Sequence, residues 1–334
     1  MTEIARKQIQ TSIFGCGGFA MNILSKFEKT AQEDNLTHLN IQYLDTSASN
    51  IEAGVNPERV YLFRDTDGFG KDRKAAYEKI LPMIPNALQS LDLGDFNIIV
   101  HSSSGGSGSA IGPALVNHLL KAGKRVVVVQ VGSVGSRKEV ENTMGVIRTY
   151  ANFAKTMNRP VLSYYRENNS KTTRTKVDAE VHSALLLLSM LFSSENKGLD
   201  TADLSNLIDY NKVTSFEPEL STIDFHCKEI RLPESLVVQA AAVLFSAEEG
   251  SADEHEASLS MLEYRAEGFL NAQRSAQVGD KAPIYSVVYT GDFVARLKDL
   301  EDHKQRFEAA VSARSAMTAS VGITETTNQD GFVF

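Results

Sequence analysis

The chain has 334 residues with 34 Lys+Arg against 42 Asp+Glu, a formal net charge of −8, and is 42% apolar and 23% charged. That composition can bury a sizeable core in one large or two coupled domains, and it excludes a fibrous or wholly disordered chain. It weighs against direct nucleic-acid binding, which needs clustered cations, but leaves room for a polyanion cradled by backbone amides and a cation. Cys16 and Cys227 are too few for a disulfide framework or a structural zinc site. The longest apolar stretch, 184–192 with Ser189 inside it, is too short to span a bilayer, and MTEIARKQIQ lacks the apolar core of a signal peptide. The expectation is a soluble cytoplasmic protein.

In chain order, residues 9–14 read as a short strand running into Gly15-Cys16-Gly17-Gly18, and 20–30 as a helix. Residues 39–44 alternate into a second strand that stops at Asp45-Thr46-Ser47, and 75–91 are helical in period, broken near Pro82 and Pro85. A buried strand at 97–100 leads into the small-residue run 102–109, a helix through Leu119 and an apolar strand at 125–131. Near-continuous apolar strands separated by helices predict a parallel sheet covered on both faces. Residues 177–191 form an apolar helix expected to be buried on nearly all sides, with an acidic helix at 199–210 after it. Strands at 225–232, 236–245 and 282–289 and a helix at 254–272 would make a smaller mixed α/β region, the apolar helix forming the seam. Residues 293–314 read as a charged amphipathic helix with Phe293, Leu297, Leu300, Phe307 and Val311 on one face.

Gly15-Cys16-Gly17-Gly18-Phe19-Ala20 follows a strand and opens a helix, where glycine admits a close ligand and free N–H groups favour phosphate. The same residues fit a dinucleotide fingerprint in its final-Ala form, with Asp45 as the ribose acceptor. Gly105-Gly106-Ser107-Gly108-Ser109 lies after another buried strand, so two helix N-termini can converge on one anion, with the Ser107 and Ser109 hydroxyls as further donors. No G-x-x-x-x-G-K-[ST], G-x-S-x-G or H-E-x-x-H occurs, and His101 and His182 read as structural. An NAD-dependent dehydrogenase stays open at this point, although it needs only the first loop.

The two loops, the apolar helix and the Asp-x-x-Asp beyond it resemble the tubulin/FtsZ superfamily of polymerising GTPases. Gly15, Gly17, Gly18 and Asn22 fall on the family's first loop, G-x-G-G-x-G-x-N, with Ala20 in place of a glycine. Residues 105–109 look like its signature loop G-G-x-G-[ST]-G, with Ser107 in the usual Thr position and Ala110 where the last Gly would be. Asp45-Thr46-Ser47 is similar to the family's Asn-Thr-Asp segment, and Gly68-Phe69-Gly70-Lys71-Asp72-Arg73 takes the place of the third phosphate loop. There Lys71 or Arg73 would offset γ-phosphate charge. Asp178 aligns with the guanine-contacting Asp, with Asn168 or Asn169 as its partner, and Glu139 falls in the ribose-loop segment 132–141. The family's Asn-x-Asp-x-x-Asp keeps both acids here, Asp200 and Asp203, and loses the Asn. A single long terminal helix with a short tail looks most like the phage-encoded tubulins (the PhuZ family).

The resemblance implies a Rossmann-like GTP-binding domain over 1–175, a central buried helix at 176–197, an activation domain at 198–292, a long helix at 293–315 and a tail at 316–334. The tail, ending Gly331-Phe332-Val333-Phe334, would dock on the next subunit through its exposed aromatics. It further implies GTP/GDP held by Gly15, Cys16, Gly17, Gly18, Asn22, Asp45, Gly70, Lys71, the 105–109 loop, Glu139, Asn168 and Asp178, with Mg²⁺ as a cofactor that Asp200 and Asp203 would help to place. Asp200 and Asp203 of the next subunit in a head-to-tail homopolymer would act as the catalytic pair. Such a filament would position phage DNA in the host cytoplasm as a track, with no direct grip on nucleic acid or membrane. A non-hydrolysing structural filament, with the two acids as helix caps, stays open beside it.

Overall fold

A computed structural model describes residues 8–230, 235–246 and 262–317. The tail with Phe332 and Phe334, and the expected helical stretch before residue 262, lie outside the described residues.

The strands are β1 (Thr11–Cys16), β2 (Leu39–Asp45), β3 (Val60–Leu62), β4 (Phe96–Ser102), β5 (Arg125–Ser133), β6 (Val161–Asn168), β7 (Leu220–Cys227), β8 (Val237–Phe245), β9 (Arg265–Phe269) and β10 (Ile284–Thr290). They form one sheet in the order β3-β2-β1-β4-β5-β6-β7-β10-β8-β9. Every pairing from β3 to β7 is parallel, β10 lies antiparallel between β7 and β8, and β9 adds parallel to β8. The helices are α1 (Gly18–Glu33), α2 (Arg73–Ile80), α3 (Ile84–Gln89), α4 (Ser107–Lys121), α5 (Arg137–Met157), α6 (Arg174–Leu191), α7 (Thr201–Ile208), α8 (Ala272–Val278) and α9 (Asp292–Met317).

Alternation along the strands sends successive side chains to opposite faces. Ile13, Ile98, Val100 and Val127 join a core with α1, α6 and α7, whereas Phe14, Ile99, Val126 and Val128 join one with α4, α5 and α9. The parallel sheet covered on both faces, expected from the apolar strands, is what forms. In α1 the buried Ala20, Met21, Leu24, Phe27 and Ala31 recur at helical spacing, so one stripe faces the sheet.

Four expectations need correction. The strand at 225–232 is β7 at Leu220–Cys227, whose first four residues, Leu220 to Ile223, are buried on both faces between β6 and β10, ahead of the Phe225 run. The helix expected to 272 gives way to β9, a strand half-buried beside β8 whose Arg265 and Glu267 form an ion pair, and α8 starts only at Ala272. In α6, Val177, Val181, Leu185 and Leu188 are buried, but Ala179 and Ser183 are exposed. Its far side, with Leu186, Leu187 and Met190, lines a cavity of about 620 Å³ shared with Val278 and Ile284. In α9, Phe293 and Leu300 are buried and Leu297 and Phe307 half-buried against the core, but Val311 is 53% exposed and belongs to no buried face. Strand β3, helix α5 and strand β6 had no counterpart in the sequence reading.

Candidate functional site

Strands β1 and β4 are neighbours whose connections leave to opposite sides, so the crevice at their carboxyl ends is where a sheet of this kind binds ligands. Both glycine loops are there. Gly17 has φ 83°, and a Cβ on it would lie 2.8 Å from the Gly108 nitrogen. A Cβ on Gly108 would lie 2.7 Å from the Cys16 carbonyl oxygen. The two backbones therefore touch, which only glycine permits, and the N-termini of α1 and α4 converge on one place. Neither helix start has a side-chain cap, so their first N–H groups are left to an anion. Thr46 Oγ1 and Ser107 Oγ are 2.5 Å apart and join the β2 loop to the same crevice.

Three residues of these loops are spent on the scaffold. Cys16 is buried, and burial followed by the Asp45 charge pushes its thiol far above the ordinary range. Asp45 is itself buried, and its carboxylate accepts from the Thr46 and Ser47 amides and the Asn50 side chain at 2.6, 3.3 and 3.1 Å. Burial raises its pKa against those bonds, and its oxygens shape the loop rather than face a ribose. Ser109 Oγ donates to the Gly105 and Gly106 carbonyls at 2.5 and 2.9 Å, closing the signature loop on itself.

Residues 68–72 close over this crevice. Gly68, Gly70 and Lys71 all have positive φ, at 75°, 50° and 68°, and a Cβ on Gly106 would lie 3.0 Å from the Phe69 Cβ and 3.1 Å from the Lys71 nitrogen. Lys71 Nζ pairs with Glu139 Oε1 at 2.8 Å at the start of α5. Burial alone would raise Glu139, but the Lys71 ammonium and the Ser136 and Ser133 hydroxyls outweigh it and hold the carboxyl below its ordinary value. One turn on, Asn142 is only 5% exposed, and its Nδ2 donates to the carbonyls of Lys71, Ser104 and Gly105 at 2.9, 3.0 and 3.2 Å. Arg73 points away from the crevice. Pro113 has no N–H for the Ser109 carbonyl four residues earlier, and Arg73 Nε donates to that carbonyl at 3.2 Å instead, its Nη2 reaching Thr149 at 3.0 Å. Below, Tyr150 and His101 share a 2.7 Å hydrogen bond, and burial lowers the imidazole pKa to about 4, in keeping with a structural histidine.

A second group lies between α1, β6 and α6. Asn168 Oδ1 and Asp178 Oδ1 are buried without a hydrogen-bond partner among the described residues. Burial raises the Asp178 carboxyl, and the Lys26 and Arg174 charges only partly offset it. Asn169 is already committed: its Oδ1 accepts from the Lys171 and Thr172 amides at 2.8 and 2.9 Å, an Asx turn. Of the two asparagines, Asn168 is the one whose side-chain oxygen has no partner among the described residues. Asn22 on α1 bonds Glu52 and Lys26, each at 2.9 Å.

Asp200 and Asp203 are at the other pole. Helix α6 leaves the carboxyl end of β6 and runs back across the sheet for 18 residues, about 27 Å at 1.5 Å per residue. Beyond it, Phe192 stacks on Phe96 at 4.6 Å, and its carbonyl accepts from Thr11 Oγ1 at 3.2 Å, at the first residues of β4 and β1. Asp200 caps α7, accepting from the Ala202 and Asp203 amides at 2.7 and 3.0 Å, while Asp203 Oδ2 accepts from the Asp200 amide at 3.1 Å. The backbone N–H bonds hold Asp200 below the usual carboxylate range, so it is an exposed, permanently ionised acid at neutral pH. Within one subunit these acids and the glycine loops do not meet.

The sequence reading missed Asn142 and Asn50. Asn142 follows Glu139 by three residues, the spacing of one helix face, but that signal requires α5 to be recognised first. Among the described residues no group of three or more His, Cys, Asp or Glu could hold a metal ion by itself.

No family model matches the chain. A phage tubulin-like protein of Pseudomonas phage phiKZ is 31% identical over 231 residues, covering 66% of this chain and 68% of that one. The chain belongs to the phage tubulin-like proteins. Another, from Pseudomonas phage PhiPA3, is 28% identical over 327 residues, 98% of this chain and 99% of the relative. Among solved structures, a protofilament of TubZ from bacteriophage PhiKZ superposes with a TM-score of 0.81 at 26% identity, over 98% of this chain and 99% of that one. The phage tubulin PhuZ with GDP superposes at 0.84 and 21% identity over 98% and 100%. This phage tubulin-like protein therefore has the tubulin fold its loops announced, and none of its described helices is long and apolar enough to cross a membrane.

Proposed function

We propose that this protein is an assembly-dependent GTPase that stacks head to tail into filaments. One observation supports the reading: α6 separates the two glycine loops at one pole from two carboxylates at the other. A subunit holding both halves of a hydrolytic site but unable to join them completes it only with a neighbour, and such a heterologous contact does not close, so it propagates. The filament and GDP of the related structures support the same reading.

In this reading the amides of 15–18 and 105–108 bind the phosphates, and Lys71 adds a cation beside the terminal one. The unpartnered oxygens of Asn168 and Asp178 suit the N–H edge of guanine, because a buried acceptor without a donor is costly until a ligand supplies one. Mg²⁺ would be held by phosphate oxygens and water, with the Thr46 and Ser107 hydroxyls as the protein's oxygens, and would neutralise phosphate charge. Asp200 and Asp203 of the next subunit accept hydrogen bonds from the attacking water. Its oxygen then bonds the γ-phosphorus as the bond to the β-phosphate oxygen breaks and a water proton passes to the departing phosphate, leaving GDP and inorganic phosphate.

The capping box favours one second reading, a filament that binds nucleotide without hydrolysing it. Phosphate release measured against protein concentration separates the two. The GTPase shows a threshold followed by a steep rise, whereas a scaffold gives polymer without phosphate. The net charge of −8 fits a host-cytoplasmic track that positions phage DNA without binding it directly.

A further inference from the structure

We infer that Asn142 is a positioning residue that clamps the 68–72 loop onto the 104–106 loop and so sets the shape of the phosphate cradle; this rests on the nucleotide-site reading above. Its amide nitrogen, with two hydrogens, serves three carbonyls from two loops at 2.9–3.2 Å. Few residues can do this. A buried side chain must present donors only towards the loops, and α5, fixed by Val140, Met144 and Ile147 in the core, supplies the rigid base.

The loop it holds has reason to need holding. Lys71 is a non-glycine residue in the left-handed region directly after the positive-φ Gly70, a conformation that surrounding contacts must maintain. Its side chain is tied to Glu139 and its carbonyl to Asn142, so one helical turn grips the same residue twice. The two grips differ in kind. The Lys71 side chain is 49% exposed and can exchange Glu139 for a phosphate, while Asn142 is buried and its bonds keep the backbone in place during that exchange. Asn142 touches no phosphate in this account; it acts through the loops.

The test compares wild type with Asn142→Ala and Asn142→Asp as subunits below the assembly threshold, titrated with GTPγS and ATPγS. Asn142→Asp keeps the shape but turns an acceptor towards three carbonyls. The clamp predicts about a tenfold loss of GTPγS affinity in Asn142→Ala and a larger loss in Asn142→Asp, with the guanine-over-adenine preference unchanged. Hydrogen exchange on the ligand-free proteins gives a second reading that does not depend on affinity. Faster exchange confined to 68–72 and 104–106, with the rest of α5 still protected, supports the clamp. Unchanged affinity and exchange overturn it, as does a loss of protection spread through α5, which marks a merely structural asparagine. Wild type that binds no guanine nucleotide overturns the site reading, and loop exchange then still reports on the clamp itself.

Discussion

Asp200→Asn is expected to abolish hydrolysis while leaving the fold intact. Asparagine caps a helix about as well as aspartate, so the α7 start keeps its bonds to the Ala202 and Asp203 amides. What is lost is the ionised oxygen that accepts from water, for which positioned acid–base groups typically account for factors of about 10²–10⁴. Phosphate release should fall by at least about a hundredfold, with nucleotide still bound and polymers over-stable. Asp200→Ala and Asp203→Ala should lose turnover equally, with about 1 kcal/mol of stability lost besides, because each also removes half of the capping box. Normal turnover in Asp200→Asn, measured by phosphate release above the assembly threshold, would make the acid a cap and nothing more.

The second large effect is at the contact between the loops. In Gly108→Ala the new Cβ meets the Cys16 carbonyl oxygen at 2.7 Å, which is backbone and cannot swing aside. In Gly17→Ala it meets the Gly108 nitrogen at 2.8 Å and must also hold φ 83°. Overpacking of this kind costs about 1–3 kcal/mol, and the positive-φ backbone, with ψ 171° in a region essentially limited to glycine, adds roughly 1–3 kcal/mol at Gly17. Because relief comes only by parting the two helix N-termini, nucleotide affinity should fall by more than about a hundredfold. Gly123→Ala is the control, since Gly123 shares the positive φ, at 72°, but has open space around it. It should lose about 1 kcal/mol of stability and no affinity. Equilibrium binding of labelled GDP checks all three.

Much of this was legible from the residues, for identifiable reasons. Strands β4 and β5 announce themselves because burial on both faces forces near-continuous apolar runs, β2 because its residues alternate, and the two glycine loops because close backbone approach admits no other residue. Strand β9 was illegible because Arg265 and Glu267 are half-buried and solve their charge by pairing across one strand face, a tertiary arrangement that local propensity opposes. Helix α5 hides behind a charged start of Arg137, Lys138, Glu139 and Glu141, and the purpose of Glu139 and Asn142 is visible only when the loops they hold are beside them. Asn168 and Asn169 are equivalent in the sequence, and only the Asx turn at 169 tells them apart. The openness of α6 on its far side depends on what α8 and β10 leave unfilled, which an apolar stretch cannot reveal.

The proposed division of one catalytic site between two subunits is tested most directly by mixing variants. Asp200→Asn retains intact glycine loops, and Gly108→Ala retains intact acids at the opposite pole. Each alone should release almost no phosphate. Mixed in equal amounts with GTP, they should recover release well above the sum of the two, because Gly108→Ala subunits can offer their Asp200 and Asp203 to nucleotide held by Asp200→Asn subunits. A mixture no more active than its parts would contradict the shared site.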